Sequence, residues 1–469
     1  MKKWSYADDP KSANVMHLPD DEELAALDEL HRWAARRLSE RDQPISGIAR
    51  ATDISDFSQP SVEDLPGISP SGVGLTEAWH GLRDVLLPSA VPSDHPRYLA
   101  FVGGAPSVAA AIADMALSVG SVYGGSELEA GLVVRAEAEA LRWLASLAGL
   151  PDTARGTFLT GGSIANLSAL VAARADRAAR EGLPTGTPGV VLASANSHSS
   201  VAAATEIMGC SLRIVGEVDR PLTESDLLDG LRACEAAGDR VIAVATVAGA
   251  TNTGQLDDLD RIAELCRRER IWLHVDAAYG GAALLDKRLT DDFLGIERAD
   301  SVVINPHKWL FTPYDCSALI YRDGEHARRT HSQRSHYLDA VGEGDNPADY
   351  AFHLSRRARG IPLWMSLVAN GTDRYRSAVE HCVDLALATA GRVEVAAELE
   401  LLSTSLSVVV LARRDWDRRD YARWSLEALR TGLGLVTPTT YQGRPALRLC
   451  FVNPQTTLDD VDAVLSTLR

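Results

Sequence analysis

The chain has no excess of positive charge, no closely spaced cysteine pairs and no long apolar run, and each absence removes a class of function. With 47 Lys+Arg against 64 Asp+Glu the formal net charge is −17, so neither nucleic acid nor an anionic membrane surface is the expected principal partner. The six cysteines (Cys210, Cys234, Cys266, Cys316, Cys382 and Cys450) are scattered. That spacing excludes a zinc ribbon or a disulfide framework, gives no metal site, and fits a reducing cytoplasm. No apolar run approaches a membrane span, and residues 1–9 lack the apolar core of a signal peptide. There is no Walker pattern, dinucleotide fingerprint, internal repeat or low-complexity tract. The expectation is a soluble cytoplasmic protein. At 469 residues, 46% hydrophobic and 24% charged, it should form two or three domains.

The chain is organised around Asn305-Pro306-His307-Lys308-Trp309-Leu310. Ser301-Val302-Val303-Ile304 before it is apolar and β-branched, which reads as a buried strand. Asn305-Pro306 ends that strand, because proline has no N–H to continue a ladder. A lysine just past the end of a buried strand sits where open α/β sheets bind ligands. Desolvated there, it loses its proton more readily and acts as an amine nucleophile towards an aldehyde. The alternative is a lysine in a surface loop.

Three other segments carry chemistry of the same kind. Thr157-Phe158-Leu159-Thr160-Gly161-Gly162-Ser163 opens a helix that continues through Arg180. A strand, two glycines, a serine and a helix start make an anion site, since free N–H groups and the helix dipole face incoming charge; a purely structural turn is the alternative. The strand 189–194 delivers Asn196-Ser197-His198, where His198 is a ring-stacking candidate or a hydrogen-bonded structural residue. The strand 271–275 ends in Asp276-Ala277-Ala278, where Asp276 is a buried carboxylate or a helix cap. Between them the apolar strand 241–247 leads to Gly249-Ala250-Thr251-Asn252 and a helix over 259–270. Strand–helix alternation from 156 to 305 predicts a parallel, doubly wound sheet with right-handed crossovers.

Outside that region, residues 20–41 read as an amphipathic helix with Leu24, Leu27, Leu30, Trp33, Ala34 and Leu38 on one period. It either lies on its own domain or embraces a partner subunit. Residues 59–74 are rich in proline, serine and glycine, and an alanine-rich helix over 129–148 stops near Gly149 and Pro151. Residues 325–353 read as a polar connector long enough to be a lid. The remainder reads as a smaller α/β unit with strands at 405–411 and 446–452 and helices at 421–431 and 458–468.

The helix-start loop, His198, Asp276 and Lys308 all fall at the carboxyl ends of inferred strands, and together they meet the needs of pyridoxal phosphate. Its aldehyde wants a lysine, its phosphate a helix N-terminus, and its pyridine nitrogen a carboxylate. On the motifs Asn305-Pro306-His307-Lys308-Trp309-Leu310, His274-Val275-Asp276-Ala277-Ala278-Tyr279 and Thr160-Gly161-Gly162-Ser163-Ile164-Ala165-Asn166-Leu167, the chain resembles the group II pyridoxal-phosphate decarboxylases. The resemblance runs from about residue 25 to the C-terminus, where Leu447-Arg448-Leu449-Cys450-Phe451-Val452-Asn453-Pro454 also matches. It implies an aspartate-aminotransferase-like α/β fold (PLP fold type I). The parts would be an N-terminal helical arm over 1–78, a large, mainly parallel-sheet domain over 79–353 and a small C-terminal α/β domain over 354–469.

The resemblance also implies roles. Lys308 would carry the cofactor as a Schiff base and Asp276 would pair with its ring nitrogen. His198 would stack on one ring face and Ala278 would pack on the other. Gly161, Gly162 and Ser163 would hold the phosphate with Asn305 and His307, Thr251 would contact the cofactor, and Tyr337 would reprotonate the substrate carbon. The partner would be an amino acid substrate, on a homodimer with its sites at the subunit interface. Two stretches depart from the family. Phe101-Val102-Gly103-Gly104 stands where aromatic decarboxylases have Tyr-Phe-Pro-Thr, whose threonine helps seat the substrate carboxylate. Val133 and Val134 stand where relatives often have a polar residue. The substrate therefore does not follow from the family. Decarboxylation to an amine is the main reading. An aldehyde synthase or other lyase, and a catalytically silent cofactor-binding relative, are the alternatives.

Overall fold

A computed structural model describes residues 21–40, 67–333 and 344–468. Its large sheet has seven strands: β1 (Arg155–Leu159), β2 (Val190–Ser194), β3 (Ser211–Val215), β4 (Val241–Val247), β5 (Trp272–Asp276), β6 (Ser301–Ile304) and β7 (Ser317–Tyr321), in the spatial order β1-β7-β6-β5-β4-β2-β3. The run from β6 to β3 is parallel throughout. β7 is antiparallel to both its neighbours, β6 and β1, so β1 points the same way as β6. One reversed strand thus leaves all six others with their carboxyl ends on one edge. The sheet is mainly parallel, as expected, with β3 and β7 additional to the strands anticipated.

The central strands are largely apolar runs because both faces of the sheet are covered there. Every residue of β4 and of β6 is buried, and alternate residues feed two separate cores. Val302 and Ile304 join one core, while Val303 joins the other. The helix Gly162–Arg180 buries Ala165, Ala169, Ala172 and Ala173 at 0% exposure. These lie on one helical face, and their small side chains let the helix axis approach the sheet closely.

A second sheet is fully antiparallel, with order β10-β11-β9-β8 for β8 (Leu399–Ser405), β9 (Val408–Arg413), β10 (Pro438–Tyr441) and β11 (Arg444–Cys450). It has twice the number of strands read from sequence, because β8 and β10 are half-buried and lack an apolar run. The stretch read as a polar connector contains regular elements among its described residues, which corrects that expectation. Gly324–His331 is a helix, capped by Asp323, and Pro347–Tyr350 is a 3-10 turn. The helix escapes a periodicity reading because only Gly324, Ala327 and His331 of it are buried.

The arm helix Asp21–Ser39 lies on its own chain through an edge-to-face contact of Trp33 with Trp79 (5.8 Å) and a two-pronged ion pair of Arg37 with Asp94 (2.6 and 2.9 Å). Leu24 and Leu27 on it stay more than half exposed. Deeper in the fold, Arg356 and Glu137 form a fully buried pair at 2.6 and 2.9 Å. The Glu137 carboxylate also accepts the Gly360 N–H (2.7 Å), and Arg356 donates to the carbonyls of Phe158 (3.2 Å) and Gly124. The pair ties the helix Glu127–Leu147 to β1 and to residues 356–360. Removing one partner strands a buried charge. Glu137→Ala should therefore cost about 3–5 kcal/mol of stability, read as a large fall in the denaturation midpoint. The double variant Glu137→Leu/Arg356→Met should lose clearly less.

Candidate active site

Asn305-Pro306 ends β6 as expected, and Pro306 opens the four-residue helix Pro306–Trp309 that presents Lys308. Proline at a first helical position sacrifices no hydrogen bond, since that N–H has no intrahelical partner anyway. Lys308 is half-buried. Burial pulls its pKa below the ordinary value for an ammonium, and Arg448 acts in the same direction while Asp276 opposes both. A lysine balanced in this way is more readily neutral, and so more readily nucleophilic, than a solvated one. Arg448 itself is buried. One of its nitrogens donates to the Phe101 carbonyl (2.5 Å), while Nε and Nη2 have no hydrogen-bond partner among the described residues.

Asp276 is the last residue of β5 and is 8% exposed. Its carboxylate accepts the Ala278 N–H (3.0 Å) and an amide hydrogen of Asn166 (2.8 Å). Asn166 belongs to a buried, directional hydrogen-bond chain. Trp272 donates to Ser301 Oγ (2.9 Å), leaving the Ser301 hydroxyl to donate to His274 Nδ1 (2.8 Å). His274 Nε2 then donates to Asn166 Oδ1 (3.0 Å). Asn166 sends its second amide hydrogen to Ser200 Oγ (3.0 Å), and the Ser200 hydroxyl reaches His198 Nδ1 (2.8 Å). Burial pushes the His274 pKa down to about 4, with partial opposition from Asp276, so this imidazole stays neutral as the chain requires. His198 Nδ1 also accepts the Ser200 N–H (3.2 Å), which leaves the His198 proton on Nε2. One asparagine thus orients both the carboxylate and the cleft histidine.

The helix Gly162–Arg180 begins at Gly161 with no side-chain cap, so its first N–H groups are open to an anion. A side chain at Gly162 would have its Cβ 3.1 Å from Asn305 Nδ2 and 3.7 Å from the Ala278 methyl; glycine keeps that cradle clear. Asn305 is held by Ser317 Oγ (2.6 Å) from the first residue of β7. His307 Nδ1 donates to the Cys316 carbonyl (2.6 Å), and burial, reinforced by Lys308, pushes its pKa down to about 4.

All ten residues expected at the cofactor meet in one cleft of about 270 Å³. Gly161, Gly162, Ser163, His198, Thr251, Asp276, Ala278, Asn305, His307 and Lys308 all line it, with Asn305 and Ala278 next to Gly162. The lining also includes Asn166, Asn196, Ser200, Tyr314 and Asp315, which sequence reasoning did not single out. Asn166 stood inside a quoted motif, but its contact with Asp276 spans 110 residues, and no local pattern signals it. Tyr337 lies outside the described residues. Val133 and Val134 do not line the cleft. Gly104 approaches it indirectly, since a Cβ there would fall 2.7 Å from the His307 carbonyl and 3.3 Å from the Tyr314 ring.

An open helix N-terminus, a clear cradle, a buried carboxylate and a lysine of lowered pKa fit a phosphorylated pyridine aldehyde. The family model described as "Pyridoxal-dependent decarboxylase conserved domain" matches residues 75–413. The chain belongs to the pyridoxal-dependent decarboxylases. Members are carboxy-lyases, and their cofactor is pyridoxal 5′-phosphate. Among relatives of this decarboxylase, the aromatic-L-amino-acid decarboxylase of Bacillus atrophaeus is 29% identical over 418 residues, covering 86% of each chain. The L-2,4-diaminobutyrate decarboxylase of Rhizobium meliloti (strain 1021) is 30% identical over 421 residues, covering 87% of this chain and 84% of that one. The crystal structure of Oryza sativa TDC with PLP and tryptamine superposes with a TM-score of 0.87 at 24% identity, covering 97% of this chain and 98% of that one. The fold is therefore the aspartate-aminotransferase-like α/β fold of PLP fold type I.

The hydrogen-bond chain makes a prediction for this decarboxylase. Asn166→Leu leaves Asp276, His274 and Ser200 each short of a partner, a loss of about 1–3 kcal/mol in stability. The apoprotein should bind pyridoxal phosphate more weakly by about tenfold, read by absorbance titration. Unchanged affinity would mean that Asp276 and His198 hold their orientation without it.

Proposed function

We propose that the protein decarboxylates an L-amino acid to the corresponding amine and carbon dioxide. The observation that carries this reading is the meeting of Lys308, Asp276, His198 and an open helix N-terminus in one cleft. Bound there, pyridoxal phosphate supplies an aldehyde that captures amines and a cationic ring that withdraws electrons from the bonds at a substrate's Cα. Lys308 would supply the amine that holds the aldehyde and would yield its place to the substrate amine. Asp276 would keep the proton on the pyridine nitrogen by direct Coulomb attraction, with its carboxylate held by Asn166. His198 would cover one ring face and Ala278 the other, while Thr251 would contact the cofactor. Gly161, Gly162 and Ser163 would hold the phosphate with Asn305 and His307. Tyr337 would return a proton to Cα after loss of carbon dioxide.

The decisive experiment incubates the protein with a panel of L-amino acids and measures carbon dioxide, amine, aldehyde, ammonia and oxygen uptake together. Equal release of carbon dioxide and amine is expected for one class of side chain. Lys308→Ala should abolish it along with the borohydride-reducible adduct, and Asp276→Asn should cut turnover by orders of magnitude while still binding cofactor. Tyr337→Phe should divert part of the flux to aldehyde, hydrogen peroxide and ammonia. A parent enzyme that consumes oxygen and releases aldehyde would replace this reading by that of an aldehyde synthase.

The protein acts as a homodimer in the cytoplasm. Six free cysteines support a reducing compartment, and among the described residues no helix is long and apolar enough to cross a membrane. The helix Val108–Val119 buries Ala110 and Ala113 yet exposes Val108, Ile112, Met115 and Val119 on another face. With Leu24 and Leu27 of the arm, these give apolar surface for a second copy. Sedimentation at working concentration should therefore report a dimer. An active monomer would defeat this part of the proposal.

A further inference from the structure

Asp219 follows β3 and is only 3% exposed, with a backbone φ of 60°. Its two carboxylate oxygens are satisfied by amide donors from two directions. Asn252 Nδ2 donates to Oδ1 (2.9 Å), and the Gln442 N–H, in the turn between β10 and β11, donates to Oδ2 (2.8 Å). The Asp219 N–H in turn goes to Asn196 Oδ1 (2.8 Å). The small sheet also grips Asn252 directly. Thr439 Oγ1 of β10 donates to Asn252 Oδ1 (2.6 Å), and Asn252 Nδ2 donates to the Thr440 carbonyl (3.0 Å).

One of these partners belongs to the wall of the cleft and another adjoins it. Asn196 lines it two residues before His198, and Asn252 immediately follows Thr251, which also lines it. Asp219 is therefore bonded to a residue of the wall, to one adjoining it and to the hairpin of the small sheet at once. A shift of that hairpin would pull on Asn252 and, through Asp219, on Asn196. Docking alone would need none of these bonds to end beside the cleft.

We propose that Asp219 and Asn252 are positioning residues that couple the docking of the β10–β11 hairpin to the placement of His198 and Thr251. The inference rests on the cofactor reading of the cleft given above. It places part of the control of cofactor binding in the small sheet, on residues that do not line the cleft.

The test compares the parent with Asp219→Asn, Thr439→Val and Thr439→Ser. Asp219→Asn turns one acceptor into a donor facing another donor. Thr439→Val removes the hydroxyl from the small-sheet side without touching the cleft, and Thr439→Ser retains it. Apoprotein of each is titrated with pyridoxal phosphate, the pH midpoint of the bound cofactor's absorption band is recorded, and the melting temperature is measured without cofactor. Asp219→Asn and Thr439→Val should weaken cofactor binding by about tenfold and move the absorption midpoint, with Thr439→Ser close to the parent. A lowered melting temperature with unchanged affinity and midpoint in both variants would reduce the network to domain docking and overturn the proposal alone. A parent that does not bind pyridoxal phosphate would overturn the reading of the cleft and this proposal together.

Discussion

A buried carboxylate must find hydrogen-bond donors and a positive charge, and Asp276 imposes that demand on the middle of this molecule. Two donors are supplied on the spot by the Ala278 N–H and Asn166. Lys308 feels the same carboxylate, and its pKa records the attraction of Asp276 against the larger desolvation of its own site. The two groups stay a short way apart rather than collapsing into a tight pair: no hydrogen bond joins them among the described residues. That separation leaves the amine available to an aldehyde and the carboxylate available to a ring nitrogen. Asn166 then passes the constraint outward, because its remaining amide hydrogen orients Ser200 and through it His198.

The sheet makes this arrangement affordable in chain length. Parallel strands β4, β5 and β6 deliver Thr251, Asp276 and Lys308 to one edge within a few residues of their ends. The helix-start loop arrives at the same edge only because β7 is reversed between β6 and β1. The pairings Ile304 with Ala318 and Leu159 with Ser317 put Asn305 and Thr160 at the two sides of the start of β7. Ser317 there fastens Asn305, which in turn borders the Gly162 cradle. The helix-start loop and the segment carrying Lys308 are therefore registered by one short antiparallel strand.

The second sheet contributes from outside the cleft. Arg448 on β11 adds its charge to the field at Lys308, and the β10–β11 hairpin reaches the loops around Asn196 and Asn252 through Asp219. Buried polar residues thus carry the connections that apolar packing cannot specify in direction. The apolar cores supply bulk stability, whereas these bonds select orientation.

Much of this was legible in the sequence, for definite physical reasons. A fully buried strand must be apolar along its length, so β4, β5 and β6 announced themselves. Proline after Asn305 marks the end of a strand, and glycine at 162 keeps clear the space beside Asn305. Lys308, Asp276, His198 and the helix start could be assigned to one cleft because strand ends in a parallel sheet must converge. Strands β3, β8 and β10 were not legible, since edge or half-buried strands need no distinctive run, whereas β7 was missed although it is interior and fully buried; the helix Gly324–His331 buries too little to show a period. Neither were Asn166 as the link between Asp276 and His198, Arg448 as a charge near Lys308, or Asp219 as the tie to the small sheet. Their partners lie tens to hundreds of residues away, and hydrogen-bond direction is decided only when the backbone has placed both ends. Sequence marked groups that meet in one cleft; tertiary structure alone decided what holds them there.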